Sequence, residues 1–370
     1  MSQNQELALL GNYLDVDSGS NYINIGQVNR IINGDMRVDQ RNNGASVSVA
    51  TTYPFTLDRW QATNSQNSKF SVQQNAGSLT PPSGFVNYIG LTSASAYTLL
   101  STDLFGLQQG IEGYNVADLG WGAAGASSVT LSFWVRSSLT GTFGGNMSNA
   151  AANRCYVFSY TINSANTWEY KTITVPGDTT GTWLKTNGCG MFLIFSIGAG
   201  SGKLTTAGSW GGTYYESVTG QTNVVGTNGA TWYITGVQLE QGLAAQPFQR
   251  RHFGNELALC QRYYTKSYDY ATVPGTATRN GIISAGYVAG ASGAWATVNA
   301  TFSVSMRTAA TVAFWDGAGN SSKSSYWYNS AWSDNQTGIS VGSSGTQSVL
   351  FYGNATVQQI AVHYTATAEF

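Results

Sequence analysis

The sequence predicts an all-β protein: an antiparallel β-sandwich, then a short connector helix, then a smaller C-terminal β-sandwich. Three observations lead there. Short β-type runs alternate apolar and polar residues, as in Ser128-Val-Thr-Leu-Ser-Phe-Trp-Val-Arg136. Turn formers punctuate those runs, with 44 glycines among 370 residues. Between residues 30 and 248 no helical period is sustained over three turns, and strands without intervening helices pair antiparallel rather than as βαβ units.

Residues 1 to 26 stand apart. Asn4 to Leu10 suits a turn or two of helix, and Tyr13 to Asp17, Ser18 to Asn21 and Tyr22 to Gly26 read as strand, turn and strand. A lone hairpin of this size does not hold itself together, so the segment is expected to attach to another surface or to copies of itself. Residues 27 to 250 make the first sandwich. In Ser128 to Arg136, Val129, Leu131, Phe133 and Val135 fall on one face and Thr130, Ser132, Trp134 and Arg136 on the other. Trp168 to Pro176 is a second strand, stopped by Pro176-Gly177-Asp178. Met191 to Ile197 is apolar on both faces and belongs at a sheet centre, and Trp232 to Glu240 closes before Gly242. Trp60, Trp168 and Trp232 are expected in the core.

Residues 251 to 266 are expected as the connector helix. Asn255 suits its N-cap, Glu256 suits the positive end of its dipole, and Leu257, Cys260 and Tyr264 share one face. Residues 267 to 370 return to strands, at Gly281 to Val288, Ala294 to Val304, Thr311 to Trp315, Gln347 to Tyr352 and Val357 to Tyr364. No repeat of fixed period is visible, which weighs against a β-helix or propeller.

Charge narrows the partners. Only 9% of residues are charged, 17 basic against 18 acidic, with a net charge of −1 and a pI near 6.1. No basic stripe exists to displace counterions, so nucleic acid is not expected as a partner. The longest dense apolar run, Met191 to Ile197, is seven residues, against about 18 for a spanning helix, so membrane insertion is not expected. Met1 to Glu6 lacks a basic start and a following apolar stretch, so no secretory signal is expected. Cys155, Cys189 and Cys260 fit no disulfide framework or metal motif and read as small buried hydrophobes.

Several segments, in their order, resemble a jelly-roll module of bacteriophage and prophage tail fibres. They are Asn33-Gly-Asp-Met-Arg-Val-Asp-Gln40, Leu57-Asp-Arg-Trp60, Ile111-Glu-Gly113, Leu131 to Ser137, Thr167-Trp-Glu169, Ile234 to Gly242 and Glu256 to Tyr264. Phe302 to Arg307 and Tyr364 to Phe370 are similar to the C-terminal region of the same proteins, and Leu14 to Asp17 with Ile23 to Gly26 resembles short stem segments. The resemblance implies a carbohydrate-binding-module-like jelly-roll sandwich in a virion tail appendage, commonly homotrimeric. Such a protein is made in the bacterial host cytoplasm and acts extracellularly. It implies attachment to other tail proteins through residues 1 to 26 and contact with a host-surface glycan or protein receptor. It transfers no sugar-binding residue, because the matched positions are glycines, strand aromatics and salt-bridge formers.

No catalytic residue, metal site or cofactor is assigned. The close acidic pairs Asp15/Asp17 and Asp35/Asp39 lie in the N-terminal hairpin and a scaffold motif, not a groove. His252 and His363 fall in different domains and read as surface or interface residues. Gly198 to Lys203 fails as a phosphate loop, since Ile197 stands where the first glycine belongs and Leu204 follows the lysine. The candidate ligand-binding residues are Trp315, Asp316, Tyr326, Trp327, Tyr328, Trp332, Asp334 and Asn335. Such rings offer a flat apolar face to the C–H side of a sugar, and the carboxylates and amide suit its hydroxyls. The same rings would also serve as core or as a trimer seam. With few charges to guard strand edges, association with sister chains is expected, and it would multiply weak sugar affinities. A purely structural virion component, such as a tail adaptor or head decoration, and a glycan hydrolase are the alternatives.

Overall fold

A computed structural model describes residues 29–51, 53–286, 295–328, 330–354 and 359–370, of which 286, 295, 296, 328 and 354 are described without their side chains. The expected attachment segment, residues 1 to 26, lies outside the described residues. Two antiparallel sheets face each other. One has six strands in the order Val47–Ser48, Phe70–Gln74, Ile89–Ser93, Thr231–Gln241, Val129–Ser137, Glu169–Val175. The other has seven, in the order Trp210–Gly211, Cys155–Ile162, Gly141–Ser148, Cys189–Ala199, Leu104–Glu112, Trp60–Asn64, Phe55–Leu57. Successive strands or hairpins change sheets along the chain, which is the wrap of a jelly roll.

Pleating explains the interior. Val129, Leu131, Phe133 and Val135 point inward and are fully buried, together with Trp60, Phe105, Phe195 and Trp232. Each such side chain contributes about 1.5–3 kcal/mol. Cys189–Ala199, flanked by a strand on either side, is the central strand that its two-faced apolar pattern predicted. A bulge interrupts the long strand Thr231–Gln241 between Thr235 and Gln238. Gly236 takes φ 63° there, with the Phe85 ring packed where a side chain would begin.

The two outer faces are partly covered. Residues 201 to 222 lie on the seven-stranded sheet, held by a parallel pairing of Leu204–Thr205 with Ser217–Val218. On the six-stranded sheet, Tyr88, Tyr233 and Trp168 pack together beneath residues 75 to 80, and Trp168 donates to the Thr80 carbonyl. Trp168 is therefore half-buried on the outer face, not between the sheets as expected. It directly precedes the strand Glu169–Val175, whose register puts it on the side of Trp134 and Arg136 and away from the inward Val135 and Phe133.

The helix is shorter than expected, Phe253–Gln261. His252 stands at its N-cap with no side-chain bond, and Asn255 is an exposed residue of the first turn. Glu256 is buried because it accepts the backbone N–H of Asn33 and pairs with Arg251. Tyr264 continues the helical period in sequence but starts the strand Tyr264–Lys266, paired with Thr365 to Thr367. A backbone ladder to the C-terminal strand outweighs one more turn of helix.

Beyond the helix, Gln359–Thr367 is the hub of the second sandwich. It pairs with Tyr264–Lys266, Ile283–Gly286, Thr311–Trp315 and Ser324–Tyr328, and the last of these carries Ala331–Gln336. A three-stranded sheet, Trp295–Thr301, Ser348–Asn354 and Ile339–Ser344, packs against it around Val298, Val349, Phe351, Ile360 and Val362. His363 is fully buried here, not at the surface. It stacks on Tyr268 at 3.9 Å, is bonded to Ser267 and the Thr278 carbonyl, and burial pushes its pKa down. His252 is exposed.

The C-terminus returns to the first sandwich. Arg59 is 1% exposed, stacks on Tyr263, donates to the Gly110 carbonyl and pairs with Glu369. Glu369 also meets Arg41 at 2.9 Å, and Arg307 donates to the Ala368 and Glu369 carbonyls while lying over the Phe370 ring. The three cysteines are free and buried, and burial lifts the thiols of Cys155 and Cys189 to about 11 and about 12.

Candidate functional site

The aromatic stretch forms a β-hairpin, Ser324–Tyr328 with Ala331–Gln336, turned through Ser330 at φ 63°. Trp327 is paired with Trp332 across it, and Tyr326 with Ser333. Neighbouring residues on a strand face opposite ways, so the rings divide. Tyr326 packs against the core of the second sandwich and donates to the Thr337 carbonyl. Trp327 and Trp332 share the other face, half-buried, with ring centroids 5.3 Å apart and planes inclined at 64°. They make a corner, one face set against one edge. Tyr328 ends the first strand opposite Ala331, and its side chain lies outside the described residues.

An ion pair completes the corner. Arg279, from the loop before Ile283, lies 4.5 Å over the Trp332 ring, and its Nη2 meets both carboxylate oxygens of Asp334 at 2.8 Å. The Ser325 hydroxyl donates to Asp334 at 2.5 Å and accepts the Gly317 N–H. The side chains of Arg279 and Asp334 are 33% and 28% exposed. A pair this open contributes at most about 1 kcal/mol to stability, so its consequence is geometric: a fixed cation above one ring and a fixed acceptor beside it.

Asp316 is placed differently. It is fully buried and accepts the backbone N–H groups of Ala318, Asn320 and Asn335 and the Asn320 amide. Burial would raise its pKa, and these hydrogen bonds outweigh it, holding the carboxyl below its ordinary range. Both oxygens are committed to tying the Asp316 to Asn320 turn to the hairpin at Asn335, so Asp316 has none to offer a ligand. Asn335 is exposed, at φ 60°. Trp315 packs edge-on to Tyr268 and beside Gly275, not against the two tryptophans. The structure thus brings together Trp327, Trp332 and Asp334 of the eight candidates. It adds Ser325 and Gly317, which border the candidate stretches, and Arg279, for which the sequence carried no local signal.

The corner is open surface. Two cavities of about 260 and 520 Å³ lie beside the helix, lined in part by Arg30, Arg251 and Arg262. Each of these arginines is already paired, with Asp118, Glu256 and Glu112 respectively.

No protein-family model matches this chain, and no curated protein matches it. Among solved structures, it is similar to the enzymatically active domain of tailspike protein 4 of bacteriophage CBA120, at 11% identity and a TM-score of 0.33. That match covers 58% of this chain and 21% of the tailspike chain, about a fifth of it. It is also similar to a putative sugar binding protein from Bacteroides thetaiotaomicron, at 11% identity over 58% of this chain and 100% of that one, with a TM-score of 0.34. A structure described as CBM4 matches at 12% identity over 57% of this chain and 98% of that chain, with a TM-score of 0.27.

Proposed function

We propose that this chain is a non-enzymatic virion tail fibre protein that recognises a host-surface glycan, binding it through the Trp327–Trp332 corner. The single observation that carries the binding is that corner, two outward rings braced by Arg279 and Asp334 on a surface otherwise poor in charge. A pyranose lays its C–H face on one indole and meets the edge of the other, while Asp334 accepts from its hydroxyls. One such site is weak, and several copies in a homotrimer turn weak contacts into adhesion. The virion setting is supported by the sequence resemblance of residues 33 to 264 to phage tail-fibre modules.

The test is binding of the purified full chain to a glycan array and to whole bacterial cells. Trp332→Ala and Trp327→Ala are each expected to weaken binding at least tenfold, about 1.4 kcal/mol, with the melting curve unchanged. Gly317→Ala probes the brace, because a Cβ there would fall inside contact distance of Arg279 Nη1. A smaller loss, about threefold, is expected for it. Unaltered binding by both tryptophan variants would place the glycan away from the hairpin corner, and no binding by the folded parent would favour a purely structural virion component.

A further inference from the structure

The outer face of the six-stranded sheet carries a second set of rings. Trp134 and Tyr170 are directly paired across strands, with ring centroids 5.3 Å apart and planes inclined at 49°. Tyr170 is 45% exposed, Trp134 half-buried, and the exposed Thr172 follows Tyr170 on the same face. The loop over Tyr88 and Tyr233 covers one end of this face. Residues 243 to 249 cover the other, where Leu243 and Gln246 meet Thr174 and Gln238. The ring pair lies between them.

Arg136 lies two residues from Trp134 on the same face, opposite Tyr233. Among the described residues it makes no hydrogen bond, ion pair or cation–ring contact; its charge is felt by the neutral phenol of Tyr88, which supplies no anion, and its Nε is buried without a partner. Every other described arginine has a carboxylate, a carbonyl or a ring for a partner, as in Arg154 with Asp178, Arg307 with Ala368 and Arg250 over Phe85. In a protein with so few charges, a guanidinium left half-buried and unpaired is costly unless something else supplies the anion.

We propose that Trp134, Tyr170 and Arg136 form a binding site for an acidic sugar, a hexuronic acid within a polysaccharide. Residues two apart on a strand are about 6.5–7 Å apart, which spans one pyranose ring and the carboxylate at its C5. The ring stacks on Trp134 and Tyr170, and the carboxylate takes the Arg136 guanidinium as a two-point, charge-assisted pair. The Thr172 hydroxyl is placed to meet the next sugar. This site shares no residue with the hairpin corner and does not rest on it.

The experiment is calorimetric titration of the full chain with tetramers of galacturonate, glucuronate and mannuronate, and with the methyl ester of whichever binds best. At least one acid tetramer is expected to bind, with its neutral ester at least tenfold weaker. Arg136→Gln and Tyr170→Ala are each expected to lose at least fivefold, and the Arg136→Gln loss should shrink at high salt as the parent's affinity falls. Trp327→Ala and Trp332→Ala should leave this binding unchanged, which separates it from the hairpin. Arg136→Gln removes the charge while keeping much of the side chain's length, and its melting curve serves as the fold control. Failure of all three acids, equal binding of acid and ester, or full affinity in folded Arg136→Gln would each overturn the proposal.

Discussion

Glu369→Ala is expected to destabilise the protein by about 3–5 kcal/mol, read from chemical denaturation. The reason is Arg59. Its guanidinium is buried between Tyr263 and Phe370, and Glu369 is its only carboxylate partner among the described residues. Removing one member of a buried pair leaves the other charged and desolvated, which costs far more than an exposed pair ever contributes. Folded proteins are typically stable by about 5–15 kcal/mol in total, so the loss is a large share of that margin. Arg41 would lose its carboxylate partner as well, whereas Arg307 bonds the Glu369 backbone carbonyl, which the substitution keeps. The double variant Arg59→Met with Glu369→Leu should recover much of the loss, because it removes both charges together. A change below 1 kcal/mol for Glu369→Ala would show that the C-terminal clamp does not hold the structure.

Glu216→Gln is expected to change the pH profile of stability. Glu216, in the segment 201 to 222 that lies on the seven-stranded sheet, is fully buried, and one of its carboxylate oxygens has no partner among the described residues. Tyr214 donates to the other at 2.5 Å. Burial is the dominant influence and lifts the carboxyl from 4.5 to about 7, against weaker opposing pulls from the Tyr214 hydrogen bond and the Lys203 charge. Between those values the folded chain holds a proton that the unfolded chain has released. The stabilisation linked to this group is therefore full below about pH 4.5 and is lost as pH rises through 7. Taking 1.36 kcal/mol per unit, the loss approaches roughly 3 kcal/mol on the alkaline side. Glutamine stays neutral throughout and still accepts from Tyr214. Its stability should therefore fall less than the parent's between pH 5 and pH 8, by about that amount. Parallel profiles for the two proteins would show that Glu216 is solvated and ionised in the folded state.

Much of the first sandwich was legible because its strands obey one local rule. Val129 to Val135 alternate and are buried on one face, and the unbroken apolar run at Met191 to Ile197 sits at a sheet centre. The helix end was not legible, because what stops it is a ladder to Thr365–Thr367, about a hundred residues away, while Tyr264 fits the helical period. Ser324–Tyr328 and Ala331–Gln336 drew notice for their rings, but their Ser, Asn and Asp content hid the strands. Strand alternation alone separates Tyr326 from Trp327, which is why the rings divide as they do. Arg279 was invisible for a different reason. Nothing in Thr276-Ala-Thr-Arg-Asn280 announces that it will lie over a tryptophan 53 positions on. Asp316 looked like a ligand residue because a carboxylate beside a tryptophan suits a sugar. Only the folded chain shows four hydrogen bonds already occupying it.

The most direct test of the hairpin as a glycan surface is the tryptophan indole N–H spectrum of the full chain, titrated with the strongest-binding oligosaccharide from the array. The signals of Trp327 and Trp332, assigned by single substitution, should shift progressively with sugar, while those of the core residues Trp60 and Trp232 stay fixed. Shifts confined to other tryptophans, with Trp327 and Trp332 unmoved at saturation, would contradict the account.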